Sequence, residues 1–142
     1  MRIVLIVFLL VIHNTVLGQK NDRKNPEQFA QSLVRAVLAH NEKETLNHLD
    51  TKYVKGQMVK FLHGNQEQFL NELFSGFDAE TGEFVQIPFK DILDMKVLRI
   101  EPGDSGDNWT VYFQISTNSN TVESSLLLIV KKKKFGFVGA VG

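Results

Sequence analysis

The sequence predicts an α+β domain, with N-terminal helices packed on a strongly bent antiparallel sheet. Three observations predict it. A helix-capping pattern recurs three times in the first half of the chain, and segments of alternating apolar and polar residues fill the second half. The helical segments precede the strands instead of alternating with them, which favours antiparallel hairpins over a parallel α/β sheet.

The chain opens on Arg2 followed by an unbroken apolar run of ten residues, 3–12 (IVLIVFLLVI). A secretory signal needs about 7–15 such residues and a membrane-spanning helix about 20. Residues 1–18 therefore read as a signal peptide, residues 19–25 as a polar linker, and residues 26–142 as one domain. The expected destination is extracellular.

The first helix is expected over 26–39. Asn25 is its capping residue, Pro26 takes the first helical position, and Phe29, Leu33 and Val37 recur at intervals of four beside Ala30, Val34 and Leu38. Asn41-Glu42-Lys43-Glu44 opens a short second helix ending near Leu49-Asp50. Asn65-Gln66-Glu67-Gln68 opens a third over about 65–75, with Phe69, Leu70, Leu73, Phe74 and Phe77 on one side. Between them, residues 53–62 (YVKGQMVKFL) read as a strand interrupted at Gly56.

Residues 79–82 (AETG) form a turn, and residues 84–89 an edge strand, because Pro88 cannot donate to a ladder. The strand over 92–101 changes phase between Val97 and Leu98, which predicts a β-bulge. Trp109, Val111, Phe113 and Ile115 alternate with Thr110, Tyr112, Gln114 and Ser116, the cleanest half-buried strand in the chain. A further strand covers 122–130. Lys131, Lys132, Lys133 and Lys134 then read as a solvated hairpin turn before a last strand at 135–141, a reading preferred to an anionic-lipid or heparin contact.

Composition narrows the chemistry. Removing residues 1–18 takes away Arg2 and no acid, so 15 Lys and Arg face 16 Asp and Glu. That balance lacks the basic footprint of a nucleic-acid binder. There is no cysteine, which excludes disulfides, thiol nucleophiles and cysteine zinc sites. A small exported domain without disulfides must be held by apolar burial, and ten phenylalanines in the expected mature chain supply it.

The helix PEQFAQSLVRAVLAHNEKETLNHL, the segment HGNQEQFLNELF and the strands that follow resemble the nuclear transport factor 2-like superfamily, closest to its short secreted nematode-type members. The resemblance implies a cone-shaped, cystatin-like fold in which the first helices and the concave sheet face enclose an apolar interior. It implies a small apolar ligand or a protein partner, with a homodimer through the sheet as one form of partnership. Leu33, Val37, Tyr53, Phe69, Trp109, Phe113 and Ile115 are then the candidates to line the cavity, with core packing as the competing role.

No cofactor motif and no metal-ligand spacing occurs. His40, His48 and His63 read as solvated or capping side chains, with His40 placed to complement the dipole at the end of the first helix. Some superfamily members are isomerases or dehydratases, which makes Asp50 with Tyr53, or Asp78, the general-base candidates. That role needs a carboxylate in an apolar pocket, with its pKa raised. Both aspartates flank helix ends or turns, so a non-enzymatic binding domain is the preferred expectation. Asn108-Trp109-Thr110 is the N-glycosylation sequon, at a loop-to-strand junction.

Overall fold

The structure is a computed structural model describing residues 25–60 and 63–139. The expected signal peptide and all of the polar linker except Asn25 lie outside the described residues. Helix α1 covers Pro26–Leu38, with the Asn25 side chain accepting the Glu27 amide at 2.9 Å. Its stripe of Phe29, Ala30, Leu33, Val34 and Val37 is buried. The helix ends in a Schellman motif: the His40 amide donates to the Val37 carbonyl and the Asn41 amide to the Ala36 carbonyl. His40 occupies the left-handed position of that motif, with φ of 49°.

Helix α2 (Glu42–Asn47) starts where the Asn41 side chain accepts the Glu44 amide at 3.0 Å. Helix α4 (Gln66–Leu73) repeats the arrangement, with Asn65 accepting the Gln68 amide at 3.0 Å. All three capping asparagines therefore work as their spacing predicts.

The segment expected as an interrupted strand is helix α3, Thr51–Lys60. The Asp50 carboxylate accepts the Tyr53 amide at 2.9 Å, and the Asp50 carbonyl accepts the Val54 amide at 3.0 Å. Asp50 thus caps the helix, while Tyr53, Val54 and Met58 pack against the core. Capping and packing of one face override the weak helix preference of Val54 and Gly56.

Among the described residues six strands form one open antiparallel sheet: β1 (Gly76–Asp78), β2 (Phe84–Val85), β3 (Asp94–Pro102), β4 (Asn108–Ser116), β5 (Thr121–Lys131) and β6 (Lys134–Val138). The order is β2-β1-β5-β4-β3, with β6 also on β5. β5 has β4 on one side. Its first part also pairs with β1, through Phe77–Glu123 and Asp78–Val122, and its last part with β6. Strand β1 was not expected, and Phe77, expected on the apolar side of the third helix, lies in this strand and is exposed. The strand is three residues long, and Gly76 fits there because a Cβ would collide with the Glu123 carbonyl. The expected edge strand is real but shorter, and Phe89–Asp91 forms a 3₁₀ turn instead.

The bulge lies where the phase change places it. Val97 pairs with Phe113 and Arg99 with Tyr112, so Leu98 has no partner opposite. The extra residue keeps Met95 and Val97 on the same face as Ile100. Val111, Phe113 and Ile115 are wholly buried on that inner face, against which α1 packs. Phe137 joins the layers, with its ring 5.6 Å from Phe29 of α1 and 6.1 Å from Phe113 of β4.

Candidate functional site

After α2 the chain does not leave the sheet. The Phe137 amide donates to the His48 carbonyl at 2.9 Å, and the Asp50 amide donates to the Phe137 carbonyl at 2.8 Å. Leu49 thereby bridges to Phe137 in parallel along the free edge of β6. Gly136 permits this approach, since a Cβ there would stand 3.2 Å from the Asp50 backbone. The result joins the N-terminal half of α1, the end of α2 and the β5–β6 hairpin around one cleft of about 980 Å³.

The cleft has an aromatic wall and a basic rim. Phe29 and Phe135 face each other at 5.3 Å, and His48 lies 5.2 Å from Phe29. His48 is only 7 % exposed. Its Nδ1 lies 2.8 Å from the Glu44 carbonyl and its Nε2 lies 2.8 Å from the Ser32 hydroxyl. Ser32 Oγ is also 2.7 Å from the Phe29 carbonyl. A carbonyl only accepts, so Nδ1 carries a proton, and in the neutral ring Nε2 accepts from Ser32.

At the rim, the β5–β6 turn is closed by the Lys131–Lys134 pair, with Lys132 and Lys133 both at positive φ, 49° and 64°. The lysine quartet is therefore a two-residue hairpin turn, as expected. Lys131 Nζ lies 3.3 Å from Asp50 Oδ2. Lys132, Lys133 and Lys134 form no ion pair among the described residues.

The general-base candidates sit where carboxylates are easily ionised. The Tyr53 amide, aided by Lys131, holds the Asp50 carboxyl below the usual range against a smaller effect of burial. The Asp78 carboxyl is lowered by the amides of Thr81 and Glu80, each 2.9 Å away. Burial, with the nearby Glu72 charge, pushes the Tyr53 phenol up.

Of the cavity candidates, Leu33, Val37, Phe69, Phe113 and Ile115 are buried in the core, and Tyr53 and Trp109 are half-buried against it. None of the seven lines this cleft or a smaller one of about 350 Å³ beside Val85 and Pro88. Asn108 is half-buried, with its side-chain oxygen buried beside Gly103 and without a hydrogen-bond partner among the described residues. His40 Nε2 donates to the Ile92 carbonyl at 2.9 Å, tying the end of α1 to the segment just before β3. Among the described residues no group of three or more His, Asp or Glu could hold a metal ion. No helix there is long and apolar enough to cross a membrane.

Residue-by-residue reading passed over Ser32, His48 and Phe135 as site residues. Ser32 in α1 and His48, the residue after α2, are sixteen positions apart, with no local spacing to join them. A comparison with protein-family models, curated proteins and solved structures finds no match to this chain.

Proposed function

We propose that this chain is an exported, non-enzymatic binding domain of the nuclear transport factor 2-like kind, and that its ligand occupies the cleft between α1, α2 and the β5–β6 hairpin. The observation that carries the reading is the cleft itself. It is concave and joins two phenylalanines to a mostly polar lining, so it offers a small molecule both apolar contact and hydrogen-bonding groups. The arrangement of the carboxylates supports binding over catalysis. Asp50 and Asp78 serve a helix cap and a turn, and their lowered pKa values are opposite to the shift a general base needs at neutral pH.

One observation favours acid–base chemistry as a second reading: His48 and Ser32 meet at the cleft wall. Native mass spectrometry of the exported protein separates the two. A binding domain carries a retained small molecule, seen as added mass that denaturation removes. Bare polypeptide, together with turnover of carbonyl substrates lost in His48→Gln, would favour the enzyme.

A further inference from the structure

The aromatic wall and the lysines of the rim belong to one cleft, and their chemistries together specify an amphiphile with a negative head. We propose that the cleft selects a small amphipathic anion, an alkyl carboxylate in the simplest form, with its chain against Phe29 and Phe135 and its head at Lys132–Lys134. The inference rests on the binding reading above.

The charge count gives the sign of the head. Four lysines line the cleft against two acids, Glu44 and Asp50. Asp50 is taken by Lys131, and Glu44 Oε2 accepts from Asn47 at 3.3 Å. Lys132, Lys133 and Lys134 have no ion-pair partner among the described residues, so the rim favours an anion. At the cleft wall Phe29 is buried and Phe135 half-buried, and neither ring carries a hydrogen-bonding group, which suits contact with a hydrocarbon chain.

The turn adds an independent argument. A two-residue hairpin with positive φ at both central positions is made most easily by Asn-Gly. A lysine in that conformation is strained, because its Cβ crowds the following carbonyl. Two consecutive lysines hold it here, and strain kept at a cleft rim points to a use for the side chains themselves.

The same strain supplies a test that unfolding cannot confuse. The double variant Lys132→Asn/Lys133→Gly places preferred residues in the turn and removes two cations. It should unfold at higher temperature than the parent and bind decanoate about tenfold more weakly, the effect of losing roughly one charge contact's worth of energy. Calorimetric titration with decanoate, 1-decanol and inorganic phosphate, each as monomers, reads the selectivity. Decanoate should bind at one site, at least about tenfold tighter than decanol, with affinity falling as salt rises. Equal binding of decanoate and decanol, or an unchanged affinity in the double variant, would overturn the proposal. So would phosphate binding as tightly as decanoate, since the aromatic wall would then play no part. A protein that ignores decanoate but binds phosphatidylglycerol vesicles would also overturn it, in favour of a surface contact. If decanoate fails while the exported protein retains a neutral molecule, the binding domain stands and only the anion selectivity falls.

Discussion

Ser32 Oγ and His48 Nε2 lie 2.8 Å apart, joining the middle of α1 to the residue that ends α2. Because Nδ1 is committed to the Glu44 carbonyl, the neutral ring can only accept from serine. The Phe29 carbonyl, 2.7 Å from Ser32 Oγ, is the alternative acceptor for the serine hydrogen. Both ring nitrogens therefore have partners, which accounts for a histidine that is only 7 % exposed.

Nitrogen-15 NMR of the histidine ring tests that arrangement. Neutral His48 should carry its proton on Nδ1, and Ser32→Ala should cost about 1 kcal/mol of stability by leaving Nε2 without a donor. A neutral ring protonated on Nε2 would show that the bond directions are wrong.

The sheet's two faces make unequal demands. Phe113 is wholly buried, and Phe113→Ala should cost about 3–5 kcal/mol. Tyr112 on the other face lies under the Arg99 guanidinium, 3.5 Å from the ring centroid, and its loss should cost about 1 kcal/mol. Urea unfolding at two protein concentrations checks the ranking. Equal small losses would contradict the strand phase, and a Tyr112→Ala loss that depends on concentration would reveal a partner copy on the outer face.

Glycines 56 and 76 should respond oppositely to alanine. Gly56 lies inside α3 with nothing within 4 Å of an added Cβ, so Gly56→Ala should stabilise by about 0.5–1 kcal/mol. Gly76→Ala should destabilise, because the methyl would strike the Glu123 backbone. Thermal unfolding of both variants is the check. A destabilising Gly56→Ala would argue against a helix at 51–60.

Local chemistry explains which elements were legible. Asn25, Asn41 and Asn65 announce their helices because capping acts within three residues. The bulge at Leu98 could be read because period-two alternation breaks visibly when one residue is added. Helix α3 was misread because Asp50 was considered as a base instead of a cap, and Val54 with Gly56 suggested a strand. Strand β1 was missed because three residues are too few to show a period. The cleft was illegible for a different reason: it depends on Leu49 reaching Phe137 across 88 positions, and no local pattern encodes that pairing.

Asp50 gives the account its pH dependence. Its folded pKa lies below the ordinary carboxylate value, so its contribution to stability is complete above that value. The contribution should be lost as pH falls through the lowered folded pKa. Asp50→Ala should cost about 1 kcal/mol near neutrality by removing the cap of α3, and Asp50→Asn less, because an amide oxygen still caps. Chemical unfolding from pH 7 downward should show parent and Asp50→Asn converging in acid. A gap that widens in acid would give Asp50 the opposite sign.

The most direct test of the binding account is a crystal structure of the exported protein, purified without stripping its ligands. The account predicts electron density for a small molecule in the cleft, in contact with Phe29 and Phe135 and reaching the β5–β6 turn. A retained molecule found only on the outer face of the sheet, with the cleft free of it, would contradict the account.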